Sequence, residues 1–287
     1  MKKYQMINPI LKIGFMQGRL SPLIDGKIQS FPWPTWEKEF EIGKKINITT
    51  MEWTIDQEGI YKNPLMTAEG QTLVKDLCAE YNFSIPSLTG DCFMQAPLWK
   101  SKNNDRTFLE KVFHDVVNSC SAINIEMIVV PLVDNGALED IKQENDLIAF
   151  LKSNENFFYE KKVKILFESD YKPIKLAKFI DRVNPLIFGI NYDIGNSAAF
   201  GFNSEDEFNL YADRILNVHV KDRLLGGTTV PLGSGAADFE KVFQLLANTK
   251  YQGNYILQTA RAKDNKHSLT LSLFRDMTRE WIKKYAH

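Results

Sequence analysis

Cysteine is scarce in this chain of 287 residues: Cys78, Cys92 and Cys120 are widely spaced and form no Cys-x-x-Cys pair. An odd, sparse set does not build a disulfide framework, and the expectation is a reducing cytoplasm with all three packed as small hydrophobes. Charge of one sign is also lacking, because 35 Lys+Arg stand against 36 Asp+Glu. A balance this close removes the electrostatic footprint of a nucleic-acid or anionic-membrane binder, and neither partner is expected. No apolar run approaches the ~18 residues that span a bilayer. Met1-Lys2-Lys3 resembles the start of a signal peptide, but Gln5, Asn8, Pro9 and Lys12 interrupt any apolar core behind it. No Gly-x-Gly-x-x-Gly follows the first apolar run, so a dinucleotide fold loses its usual support. Of the four histidines, His114, His267 and His287 have no partner at metal-ligand spacing and receive no role.

What the chain does have is alternation. Short runs of strand character recur at 12–17, 48–53, 83–88, 125–131, 163–168, 188–193, 215–221 and 255–259. Stretches of helical periodicity separate them, at 35–45, 68–82, 105–122, 144–160, 174–183, 204–213, 238–247 and 268–285, the segment 204–213 being the weakest. Within 105–122, Phe108, Leu109, Val112, Phe113, Val116, Val117 and Cys120 share one face. Asp238 and Ser268 stand where helix N-caps are expected. Eight strand–helix units in this length fit a single (β/α)₈ TIM barrel over 1–287, with no interior linker; an open doubly wound sheet is the alternative.

Side chains alternate faces along a strand, so parity separates barrel interior from helix-facing exterior. In the fifth run Val163, Ile165 and Phe167 take the helix side, which turns Glu168 inward. The same rule turns Asp193, His219 and Gln258 inward from the sixth, seventh and eighth runs. Four polar groups thus converge from the C-terminal ends of consecutive strands, where barrels of this kind hold their active sites. Two carboxylates, an imidazole and an amide oxygen suit a divalent ion: Mn²⁺, Mg²⁺, Co²⁺ or Zn²⁺. Asn191 and Asn217 lie deeper on the same faces and read as structural.

Six segments carry a specific likeness: Met16-Gln17-Gly18-Arg19-Leu20-Ser21-Pro22, Phe167-Glu168-Ser169, Tyr192-Asp193-Ile194-Gly195-Asn196, Val218-His219-Val220-Lys221-Asp222-Arg223, Pro231-Leu232-Gly233-Ser234-Gly235 with Asp238-Phe239, and Ile256-Leu257-Gln258-Thr259-Ala260-Arg261. Together they resemble the sugar phosphate isomerase/epimerase group of the xylose isomerase-like barrel superfamily, most densely after residue 160. The resemblance implies Glu168, Asp193 and His219 as metal ligands, with the carboxylates ending strands five and eight acting as opposed acid and base. Relatives usually carry Glu where this chain has Gln258, and often a substrate-contacting His where it has Asn196. Such proteins often form dimers or tetramers, so a homo-oligomer is the expectation.

Gln258 changes the chemistry. Its amide oxygen can coordinate a cation but brings no charge and takes up no proton. Aldose–ketose interconversion needs only one base, and Glu168 can supply it, removing the proton next to a carbonyl through a metal-stabilised enediolate. Glu52 shares the inward parity of Ile48 and Thr50 and is a candidate second acid/base near the barrel mouth. Arg19, Lys221, Arg223 and Arg261 are candidate clamps for an anionic sugar, Asn196 can bond a hydroxyl, and the amides of Gly233-Ser234-Gly235 could receive a phosphate. The expectation is therefore a metal-dependent isomerase or epimerase of a sugar or sugar phosphate. A dehydratase or lyase acting on a keto sugar or cyclitol, or a non-catalytic sugar-binding homologue, are the alternatives.

Overall fold

The computed structural model describes residues 12–285. Eight strands form a closed parallel barrel: β1 (Ile13–Met16), β2 (Thr50–Thr54), β3 (Ser84–Thr89), β4 (Met127–Leu132), β5 (Lys164–Ser169), β6 (Phe188–Asp193), β7 (Ile215–Val220) and β8 (Asn254–Leu257). Each pairs with its sequence neighbours, and β8 closes onto β1 through Ile13↔Tyr255, Gly14↔Ile256 and Phe15↔Leu257. The expected TIM barrel is borne out, and the open sheet is excluded because the strand order closes on itself and leaves no strand with a free edge.

Helices cover the outside and give the strands their two-sided burial; in β4 all but the first residue are buried. Along Asn103–Ala122 the buried stripe is Val112, Phe113, Val116, Val117 and Cys120. Phe108 is 49% exposed and Leu109 only partly buried, so the stripe engages the barrel from Val112 onward. Asp238 caps its helix by accepting the Lys241 N–H at 3.0 Å, whereas Ser268 lies inside a helix that already begins at His267. The helix expected at 144–160 is two, Ile141–Ser153 and Glu155–Lys161, broken at Asn154, whose side-chain amide bonds the Phe150 carbonyl.

Two short helices had no periodic signal: Asp91–Gln95 after β3 and Ile194–Phe200 after β6. The second starts where the Asp193 carboxylate accepts the Asn196 N–H at 2.8 Å, an N-cap that bends the chain at the strand end. Among the described residues no helix is long and apolar enough to cross a membrane. The three cysteines are free, with Cys92 and Cys120 buried. Trp36, Trp53 and Phe31 pack on one another in the core.

Candidate active site

Strand register puts the key groups level. Asp193 pairs with His219 across β6–β7, and His219 with Ile256 across β7–β8. Residues paired across parallel strands project to the same face, so Asp193 and His219 both point inward, and Glu168 joins them from the end of β5. One ligand atom from each of Glu168, Asp193 and His219 lies within 4.8 Å of the others. His219 Nδ1 is 3.1 Å from Glu168 Oε2 and 4.0 Å from Asp193 Oδ2. All three residues are buried.

A polar floor holds them. Asn191 Nδ2 lies 2.9 Å from Glu168 Oε2 and 3.0 Å from His219 Nδ1, while Asn191 Oδ1 accepts from Asn217 Nδ2 at 2.8 Å. Asn217 Nδ2 also donates to Glu52 Oε2, as does the Ser87 hydroxyl, and Glu52 Oε1 meets His219 Nε2 at 2.7 Å. Glu52 therefore does not stand at the mouth. Parity does not set the depth of a residue on one strand against those on another, and this carboxylate is wholly buried, with both oxygens taken.

The electrostatics follow from these contacts. Burial pushes the Glu168 carboxyl upward, but the hydrogen bond and charge of His219 and the charge of Lys221 outweigh it, leaving the group below its ordinary value and ionised. Burial is the largest influence on Asp193 and, with Glu168 nearby, raises it against the pull of Lys221. For His219, burial works downward, yet the Glu52 charge and the bonds to Glu168 and Glu52 push it up to about 10.

On the open side Lys221 Nζ donates to Asp193 Oδ2 and Asn196 Oδ1 at 3.1 Å each, and to Gln258 Oε1 at 3.2 Å. Gly195 makes this possible, because a Cβ there would come within 2.8 Å of Lys221 Cγ. Asn196 Nδ2 bonds Glu168 Oε1 at 2.7 Å, and Arg223 Nη1 bonds Asn196 Oδ1 at 2.8 Å. These groups line a cleft of about 670 Å³ at the C-terminal mouth, with Glu168, Asn196, Lys221, Arg223 and Gln258 on its wall and Asp91 opposite. A larger hollow of about 1300 Å³ at the other end of the barrel has no converging ligand set among the described residues.

Three expectations are not met. Arg261 donates to the carbonyls of Gly18 and Ser21, and Arg19 to the Ile28 carbonyl and Gln29 Oε1, so both tie down the loop after β1 and neither lines the cleft. Gly18, at φ +92°, turns that loop back on itself, a reversal that spacing alone does not reveal. The loop at 233–237 has no amides to offer a phosphate: Gly233, Gly235 and Ala237 give theirs to the buried Asp222 carboxylate at 2.9, 2.8 and 3.2 Å. Asp91 and Gln29 are among the cleft-wall residues that escaped the sequence reading. Asp91 lies two residues past the end of β3 and the strand-end rule would find it; Gln29 lies in an irregular loop and carries no signal.

A family model described as "Xylose isomerase-like TIM barrel" matches residues 40–280. The chain belongs to this family. The likeness read from the six segments, to the sugar phosphate isomerase/epimerase group of the superfamily, is borne out. Among relatives, the L-ribulose-5-phosphate 3-epimerase UlaE of Salmonella heidelberg is 23% identical over 235 residues, 78% of this chain and 81% of that one. Two solved structures share the fold: D-psicose 3-epimerase of Clostridium cellulolyticum H10, with D-tagatose (TM-score 0.73, 9% identity, 95% of this chain and 99% of that one), and the IOLI protein with a zinc atom (TM-score 0.73, 14% identity, 96% and 99%).

Proposed function

We propose that this xylose isomerase-like barrel is a divalent-metal-dependent isomerase or epimerase of a sugar or sugar phosphate, working by removal of the proton next to a carbonyl. The observation that carries the reading is the buried convergence of Glu168, Asp193 and His219 beneath a cleft rimmed by Lys221 and Arg223. The donor set fits a metal: two carboxylate oxygens and an imidazole nitrogen, the ring held from behind by Glu52, as ligating histidines commonly are. Gln258 Oε1 would complete the set. A bound ion such as Mn²⁺, Mg²⁺, Co²⁺ or Zn²⁺ supplies Lewis acidity that polarises the substrate carbonyl.

The chain's own residues do the rest. Glu168, kept ionised, takes the proton from carbon, and Asn196 steadies its other oxygen. Lys221 and Arg223 offer positive charge to an anionic substrate at the cleft rim. Glu52 acts through His219, which it orients, and touches no cleft atom. UlaE is named for epimerisation at carbon 3 of a pentulose phosphate, so ketose phosphates head the candidate substrates. Gln258 favours, within that class, a reaction that one base on one face completes.

The test is solvent exchange: deuterium from D₂O enters a candidate ketose phosphate at carbon with the wild-type, metal-supplied protein, and fails to enter with Glu168→Gln. Absence of exchange across a broad panel of sugars and sugar phosphates would contradict the reading. Loss of water from the substrate, seen by mass, would instead support the lyase alternative.

A further inference from the structure

The Gln258 carboxamide has an oxygen end and a nitrogen end of nearly equal shape, and only its partners decide which one faces the cleft. Those partners form a chain running from Asp91 and Arg19 through Gln29 to Gln258 and Lys221. Gln29 Nε2 donates to Asp91 Oδ2 at 2.6 Å, and Gln29 Oε1 accepts from Arg19 Nη2 at 3.3 Å. Gln258 Nε2 donates to the same Gln29 Oε1 at 3.0 Å, which leaves Gln258 Oε1 toward Lys221 Nζ at 3.2 Å. Arg and Lys are donors only, so both ends of the chain are fixed by groups that cannot reverse. Turning over Gln29 would set its NH₂ against Arg19 Nη2 and Gln258 Nε2 together. Turning over Gln258 would set oxygen against oxygen at Gln29 and donor against donor at Lys221.

We propose that Gln29, anchored by Asp91 and Arg19, is a positioning residue that fixes the polarity of the Gln258 carboxamide and presents its oxygen to the cation. The inference rests on the metal-dependent reading above. It also makes Gln29 and Gln258 a matched pair. A carboxylate at 258 would face Gln29 Oε1, oxygen against oxygen, and Gln29 could donate to it only by turning its own oxygen toward Asp91.

The test is a double-mutant cycle read as Mn²⁺ affinity, by calorimetry on metal-free protein, with Gln29→Met, Gln258→Met and the double variant. Removing a group that orients a ligand typically costs about 10- to 100-fold in metal affinity. The expected result is a loss of about tenfold in Gln29→Met, and a double variant no weaker than Gln258→Met alone, because Gln29 acts only through that carboxamide. Wild-type affinity in Gln29→Met, or a loss that simply adds to that of Gln258→Met, would each overturn the positioning role while leaving the metal reading intact. A wild-type protein that binds no Mn²⁺ would overturn both.

Discussion

His219 Nε2 meets Glu52 Oε1 at 2.7 Å in the floor of the barrel, and both side chains are completely buried. The pair joins β2 to β7 across the barrel interior and turns the other ring nitrogen, Nδ1, toward Glu168 and Asp193. Glu52→Gln keeps the shape but removes the charge that holds the ring. The expected outcome is a loss of about 10- to 100-fold in divalent-metal affinity, with a lower melting temperature in the metal-free protein. Isothermal titration and thermal melts check both.

The same contact gives a pH dependence. In the metal-free protein the His219 pKa stands at about 10 against an ordinary 6.5. A folded-state pKa raised above the unfolded one stabilises fully below about pH 6.5, and that contribution disappears as pH rises through about 10. Metal-free protein is therefore expected to lose a few kcal/mol of stability from this group across that window. Metal binding demands a deprotonated Nδ1, so affinity should rise with pH over the same range, with proton release on binding. Denaturant titrations at several pH values, with and without Mn²⁺, measure both slopes.

Arg223 bridges Asn196 and the Gly227 carbonyl at the cleft rim. If it receives the anionic group, Arg223→Ala should raise KM for a phosphorylated ketose by about tenfold or more, as expected for a lost charge-assisted contact. KM for the unphosphorylated sugar should change little. Equal effects on both substrates would assign Arg223 to the loop alone.

Asp222 accepts three backbone N–H groups from the segment 233–237. Asp222→Ala orphans them, and a destabilisation of about 2–4 kcal/mol is expected from charged-acceptor bonds lost at a buried site. Proteolysis should then cut within 231–237 faster than in the wild type.

The barrel was legible because its signal repeats: eight apolar runs with helical spacers leave few topologies open. Parity then brought Glu168, Asp193 and His219 together, since a strand has only two faces and one must meet the helices. Depth along the barrel axis was legible within a strand, as for Asn217 two residues before His219, but not between strands. Glu52 shares the inward face with His219, and only the register between strands sets its level. Loop direction was hidden for a different reason. Arg261 lies beside a cleft residue in sequence, yet the backbone reversal at Gly18 and the carbonyls of the β1 loop claim its guanidinium group and that of Arg19. The amides of Gly233 and Gly235 were open on paper because Asp222, eleven and thirteen residues earlier, gives no local sign of reaching them.

Metal content measures the central claim most directly. Protein purified, stripped with chelator, reloaded with Mn²⁺ and desalted should carry about one divalent ion per chain by elemental analysis. Asp193→Ala and His219→Ala should carry none above background. A folded wild-type protein that retains no ion, or variants that retain as much as wild type, would contradict the account.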